Sequence, residues 1–242
     1  MRTLYDDIGV NYAELRKPDP RIARIIEEAL GPAETVLNVG AGTGSYEPQD
    51  RILTAVEPSK EMIRKRGPAM AKAIQASAED LPFDDDSFDA SMAILTIHHW
   101  HDKAAGLREM RRVTRGPIVI LTFDPSHRPW LTDYFPGLVE LDERQMPPME
   151  NYGRWLQKAR ISPVPVPHDC TDGFLYAYWR RPGAYLDERV RSGSSSFWLI
   201  ENSEAGASKL KHDLETGEWA RRYSSLLDLD EYDAGYRLVV AP

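Results

Sequence analysis

The chain has a single cysteine, Cys170, in 242 residues, which excludes an intramolecular disulfide and any framework held by cross-links. One thiol also fits a reducing compartment. No apolar run approaches the ~20 residues that a membrane helix needs. The start, Met1-Arg2-Thr3-Leu4-Tyr5-Asp6-Asp7, shows no apolar signal segment. A cytoplasmic protein without a membrane span is the expectation. Positive charge is scarce too: 30 Lys and Arg stand against 38 Asp and Glu, a net charge of -8, whereas a nucleic-acid groove would show clustered Lys and Arg. Arg108, Arg111, Arg112 and Arg115 do cluster, but at helical spacing with Glu109 among them, the pattern of a solvated helix face. No nucleic-acid partner is expected.

What the chain does contain is alternation. Pro20–Leu30 sets Ile22, Ile25, Ile26 and Leu30 at helical spacing and ends at Gly31-Pro32. Strand-type runs follow at Thr35–Val39, Arg51–Val56, Ala73–Gln75, Phe88–Leu95 and Ile118–Phe123, with helical patterns around Lys60–Arg66 and Lys103–Val113 between them. Strand and helix in turn predict parallel strands with helices on both faces. After Phe123 the rhythm breaks. Residues 124–148 hold Pro125, Pro129, Pro136, Pro147 and Pro148 beside Trp130, Leu131, Tyr134 and Phe135. That stretch is too apolar for a disordered linker and too rich in proline for one long helix. A short helix is expected over Asn151–Arg160, an extended edge segment over Ser162–His168, and a last strand over Tyr236–Ala241.

The densest signal is Val36-Leu37-Asn38-Val39-Gly40-Ala41-Gly42-Thr43-Gly44-Ser45, followed by Leu53-Thr54-Ala55-Val56-Glu57-Pro58-Ser59. Glycines let a chain turn tightly and approach a ligand closely. An acid closing the second apolar run suits the two hydroxyls of a ribose. The dinucleotide fingerprint needs its third glycine one place later than Gly44, and no Gly-Lys-Ser/Thr follows to make a phosphate loop.

These residues resemble the class I S-adenosylmethionine-dependent methyltransferases, whose first motif is a V-L-D-x-G-x-G-x-G loop. The resemblance continues through Glu57 in Val56-Glu57-Pro58-Ser59, then Ala78-Glu79-Asp80-Leu81-Pro82-Phe83, Ser87-Phe88-Asp89 and Ile94-Leu95-Thr96-Ile97-His98-His99-Trp100. The ordered series looks like the branch with small-molecule and quinone-type methyltransferases, and covers the first half of the chain well and the second half poorly. Asn38 and Ser77 stand where the family often has acids, but both can still hydrogen-bond.

The resemblance implies a Rossmann-like α/β fold: a seven-stranded, mostly parallel sheet with helices on both faces. Placing the family's last two strands on Val164–His168 and Tyr236–Val240 leaves an aromatic-rich insertion. The expected division is residues 1–170 plus 234–242 as the cofactor-binding domain and 171–233 as a mostly helical cap. The alternative for the insertion is an extra core layer without ligand contact.

It also implies S-adenosylmethionine as cofactor, S-adenosylhomocysteine as product, and a small-molecule acceptor methylated by in-line displacement. Gly40, Ala41, Gly42 and Gly44 would pass beside the methionine part. Glu57 would bind the ribose, with Pro58, Ser59 and Met62 bordering the adenine, although Met62 suits a helix position facing the core equally well. Ala78 and Glu79 would lie at the adenine's other edge, and Leu95 and Thr96 under the sulfonium side. Tyr12 and Arg16, with Tyr5, would fold over the cofactor, the arginine pairing with its carboxylate.

Candidates for removing a proton are His98, His99 and His168, since imidazole titrates near neutrality. His101 follows the same strand. A metal at His168, Asp169 and Cys170 is not expected, because adjacent strand residues point to opposite faces; no metal is assigned. A cofactor-binding regulator or scaffold without catalysis is the alternative to an enzyme. A nicotinamide-dependent oxidoreductase is the third possibility, because Glu57 would serve that ribose too.

Overall fold

The computed structural model describes residues 16–242. Helix α1 (Pro20–Leu30) starts where Asp19 caps it, its carboxylate accepting the Arg21 N–H at 3.0 Å, with Pro20 in the first turn. Strands β1 (Thr35–Val39), β2 (Ile52–Val56), β3 (Ala73–Ile74), β4 (Ala90–Ile94) and β5 (Ile118–Phe123) alternate with α2 (Lys60–Lys65) and α3 (Lys103–Val113). Helices α4 (Gly137–Gln145) and α5 (Met149–Trp155) follow. Strand β6 (Arg160–Pro163) then leads to β7 (Val166–Pro167), β8 (Glu231–Tyr232) and β9 (Tyr236–Ala241).

The main sheet runs β3-β2-β1-β4-β5-β9-β6. Its first five strands are parallel, and β9 is antiparallel to both β5 and β6. Successive residues of one strand feed opposite cores, as the pleat requires. Val36, Met92 and Val119 pack with Ile22, Ile26 and Leu30 of α1, while Leu37, Ala93 and Ile120 pack with Leu107, Met110 and Val113 of α3. The strand order reverses between β1 and β4. Beyond the carboxyl ends of those two strands lies the crevice in which open α/β sheets hold ligands.

The sheet's far edge departs from the sequence expectation. The sixth strand is Arg160–Pro163, not Val164–His168. Pro165 and Pro167 carry no N–H and cannot sustain a ladder, whereas Arg160, Ile161 and Ser162 pair continuously with β9. Val166–Pro167 instead forms a side ribbon with Glu231–Tyr232. The helix expected over Asn151–Arg160 is Met149–Trp155, and Arg160 belongs to the strand.

Between β7 and β8 the chain is helical: α6 (Glu188–Ser192), α7 (Ser195–Leu199), α8 (Ser203–Glu215) and α9 (Glu218–Arg222), with short 3-10 turns around them. Its large rings do not sit apart. Phe174, Tyr176, Trp179, Tyr185 and Trp219 belong to the same buried cluster as α1 and β5. Trp130 Nε1 donates to the Trp179 carbonyl at 2.8 Å, and Trp179 Nε1 to that of Val166 at 2.9 Å.

The arginines of α3 are more engaged than a solvated face requires. Arg112 binds Glu109, Asp85 and the carbonyls of Leu81 and Phe83, and Arg111 binds those of Thr114 and Gly116. They fasten the loop before β4 and the turn before β5.

Candidate functional site: two adjacent cavities

The loop after β1 turns through positive φ at Gly40 (72°), Gly42 (52°) and Gly44 (100°). At Gly40 the neighbour decides as much as the backbone: a Cβ there would lie 2.1 Å from Thr96 Oγ1 at the end of β4. The glycine thus lets the ends of β1 and β4 close up beside the crevice. Gly40 and Ala41 donate their N–H groups to the Val56 carbonyl at 2.9 and 3.0 Å. Glu57, directly after β2, accepts the Gly42 N–H on Oε2 at 2.8 Å and the Ser59 N–H on Oε1 at 2.9 Å. Burial raises its pKa above the ordinary carboxylate range, against those N–H groups and the Arg66 charge.

Beneath the loop sits a buried charge clamp. Arg66 Nη2 meets both Glu47 carboxylate oxygens at 2.7 and 2.8 Å, and its Nη1 donates to the Gly42 carbonyl at 3.1 Å. Asn38 Nδ2 donates to Glu47 Oε1 at 3.0 Å. An acid at position 38 would face Glu47 with a like charge, so the amide suits its place.

A cavity of about 560 Å³ opens over these groups. Gly40, Ala41, Gly42, Glu57, Pro58, Ser59, Met62, Ala78, Glu79, Leu95, Thr96 and Arg16 all line it, with Asn38, Ser77 and His99. Ser59 caps α2, its Oγ accepting the Met62 N–H at 3.3 Å. Met62 is both a packed helix residue, 3% exposed, and a cavity wall. Glu79 Oε1 accepts the N–H groups of His101 and Asp102 at 2.8 and 3.1 Å, tying down the turn after β4. Gly44 does not line the cavity; a Cβ on it would meet Met70 Sδ at 2.9 Å.

Leu95 holds a left-handed φ of 50°, a costly conformation for a branched residue that persists only where surroundings enforce it. Together with Arg16 it forms the wall shared with a second, smaller cavity of about 60 Å³. His98, Phe123, Asp142, Met146, Phe174, Tyr176, Tyr236 and residues 193–196 line this one. Its polar focus is Asp142 on α4, which accepts the Tyr176 hydroxyl on Oδ2 at 2.9 Å. Burial pushes the Asp142 carboxyl up to about 6, against the Tyr176 hydrogen bond and the Arg128 charge.

His98 and His99 follow β4 on a 3-10 turn, ring centroids 3.8 Å apart. Each faces a different cavity. Burial, then mutual repulsion with His99 when both rings are protonated and the charges of Lys103 and Arg16, keeps His98 well below the usual imidazole range. Burial and Lys103 bring His99 to about 4. Both rings are therefore neutral near pH 7, and the same burial opposes their protonation.

The remaining sequence candidates separate. Arg16 donates from Nε to Asp172 Oδ1 at 2.6 Å, and Tyr46 donates to Asp172 Oδ2 at 2.9 Å. His168 lines neither cavity; it lies beside the side ribbon, its Nδ1 3.1 Å from the Asp230 carbonyl oxygen. The reason is the shifted sixth strand, which ends before it. Tyr5 and Tyr12 lie outside the described residues. The Cys170 thiol is buried, which pushes it up to about 12 and leaves it a poor nucleophile. Sequence reasoning did not single out Asp142. It is one acid among several on α4, and its place depends on Tyr176, 34 residues away.

Comparison with known proteins agrees with this architecture. Residues 37–117 match the family model described as a methyltransferase domain. The crystal structure of a proposed methyltransferase from an antibiotic biosynthesis pathway of Anabaena variabilis superposes with a TM-score of 0.87 at 37% identity, covering 94% of this chain and 99% of that one. The demethylmenaquinone methyltransferase of Roseiflexus castenholzii is 32% identical over 162 residues, 60% of this chain and 68% of the relative. A chloroplastic 2-methyl-6-phytyl-1,4-hydroquinone methyltransferase of Oryza sativa is 28% identical over 179 residues, 67% of this chain and 53% of the relative. The chain thus spans about half the length of that plant enzyme. With the reversed strand order, the glycine loop and Glu57 in one crevice, these likenesses establish that the chain belongs to the class I S-adenosylmethionine-dependent methyltransferases.

Proposed function

We propose that the chain methylates a small organic acceptor in the smaller cavity, with S-adenosylmethionine in the larger one. The observation that carries this is the shared wall: Arg16 and Leu95 line both cavities, so two ligands would meet at the carboxyl end of β4. The residues present fit the cofactor. A buried carboxylate, Glu57, faces a volume of about 560 Å³ beside a glycine loop, as a ribose with an amino-acid tail requires. When bound, S-adenosylmethionine supplies a methyl group already activated on a positive sulfur.

The protein's own part is then alignment, exclusion of water and, for a protonated acceptor, removal of a proton. Glu57 holds the ribose, Gly40 to Gly42 and Arg16 the methionine end, and Ala78 and Met62 flank the adenine. His98 is the acceptor-side base: it lines the smaller cavity and stays neutral at physiological pH. His99 belongs to the cofactor side.

Residues 171–233 act as a cap. Their Phe174, Leu175 and Tyr176, with residues 193–196, close the smaller cavity. Its volume of about 60 Å³ is below the ~150 Å³ that admits benzene. A ring-sized acceptor therefore enters when the wall at residues 193–196 yields. Among the described residues no helix is long and apolar enough to cross a membrane, and we place the protein in the cytoplasm.

The test is transfer of labelled methyl from S-adenosylmethionine to a panel of small hydroxylated and amine acceptors. Transfer is expected, and Gly42→Asp, which puts a carboxylate into the cofactor cavity, is expected to abolish it. Transfer that persists in Gly42→Asp would contradict the assignment of the cofactor cavity.

A further inference from the structure

Resting on the proposed function, we infer that Asp142 and Tyr176 form an anchoring subsite for a hydroxyl of a neutral aromatic acceptor. Asp142 is only 7% exposed and Tyr176 is 2% exposed, yet both line the smaller cavity. The Tyr176 hydroxyl occupies Oδ2 of Asp142 at 2.9 Å. Oδ1 has no hydrogen-bond partner among the described residues. That oxygen is open to the cavity rather than sealed in protein, and an acceptor hydroxyl would give it a donor there.

The surroundings choose between a neutral and a cationic ligand. Walls of Phe123, Phe174, Tyr236 and Met146 offer flat apolar surface, with Phe123 and Tyr176 stacked at 5.0 Å and Phe174 and Tyr236 edge-on at 4.6 Å. Arg16 on the same cavity is already paired with Asp172, but a bound sulfonium would place a positive charge next door. A protonated amine would be repelled by it. A neutral ring hydroxyl escapes that penalty and still satisfies Asp142.

Asp142 does not line the cofactor cavity. It therefore grips a hydroxyl other than the reacting one, and the subsite favours rings with two polar substituents. Asp142 and Tyr176 are specificity-determining residues; no bond forms or breaks at them.

Calorimetry on the full chain, saturated with S-adenosylhomocysteine, tests this with resorcinol, phenol and benzylamine. Resorcinol is expected to bind at least tenfold more tightly than phenol, which lacks the second hydroxyl. Asp142→Asn should weaken resorcinol at least tenfold, and Tyr176→Phe about threefold, with S-adenosylhomocysteine affinity kept within twofold. Phenol should be indifferent to both changes. If Asp142→Asn does not fold, Tyr176→Phe carries the comparison.

Three results overturn the subsite while leaving the proposed function standing: no binding of either phenol with S-adenosylhomocysteine bound, tighter binding of benzylamine than of resorcinol, or equal weakening of resorcinol and phenol by the substitutions. Failure of S-adenosylhomocysteine itself to bind would remove the proposed function, and the subsite with it.

Discussion

At the scale of single residues, two groups in the smaller cavity make opposite predictions about proton traffic. His98 is kept neutral by burial and by neighbouring cations. If it accepts the acceptor's proton, His98→Gln lowers kcat about 10²-fold and leaves S-adenosylhomocysteine affinity unchanged. Full turnover in that variant would remove the histidine base. Asp142 responds in stability rather than in rate. Its folded value of about 6 lies above that of an unfolded aspartate. As pH rises from about 4, the unfolded chain loses this proton first, so unfolding becomes easier between about pH 4 and 6 and stays so above. Asp142→Asn cannot ionise. It should therefore be more stable than the parent near pH 7.5 by on the order of 1–3 kcal/mol, with the gap closing near pH 4. Urea titrations at both pH values check this, and a gap independent of pH would contradict it.

Glu57, Gly40, Gly42, Ala78, Leu95 and Thr96, which line one cavity, stand out in the sequence because their neighbours along the chain carry the motif. Asp142 could not, since its meaning comes from a tyrosine on a distant segment. Gly40 was legible in identity but not in cause: the crowding that demands it comes from Thr96, a strand away in space. His168 shows the converse. It had suitable chemistry, but its position hung on the placement of a strand.

Among elements, the glycine loop depends on the clamp beneath it. Arg66 follows α2 and binds Glu47 and the Gly42 carbonyl at once, with both charged side chains nearly inaccessible. Removing one partner of such a pair strands the other. Arg66→Ala is expected to cost about 3–5 kcal/mol of stability and to weaken cofactor binding through the loosened loop. A loss under about 1 kcal/mol in denaturant unfolding, the range of exposed pairs, would show that the clamp is dispensable.

The first five strands were legible because each is a short apolar run set off by turns, and buried parallel strands need little else. The sixth was not. Arg160–Pro163 is four residues long and exposed along its length, so pairing with β9 rather than a buried apolar face makes it a strand. The Pro-Val alternation after it looked more strand-like and pairs in a separate ribbon.

For the whole molecule, the second half is where sequence reasoning thinned and where the proposed specificity lies. Its rings do two things at once. Trp179, Tyr185 and Trp219 extend the core over α1, while Phe174 and Tyr176 reach the smaller cavity. Composition shows aromatics in both cases; only the fold sorts them. Family membership fixes the sheet and the cofactor class, because four ordered motifs lie on consecutive strand ends. In the proposed reading, the acceptor is decided by elements from outside those motifs.

The central claim is that the crevice between β1 and β4 holds S-adenosylmethionine through Glu57. Calorimetric titration with S-adenosylmethionine, S-adenosylhomocysteine and NADH tests it most directly, on the parent chain and on Glu57→Ala. One-site binding of both sulfur nucleosides is predicted, with no response to NADH and a loss of about 1–3 kcal/mol in the variant. Binding of NADH alone, or sulfur-nucleoside affinity untouched by Glu57→Ala, would contradict the account.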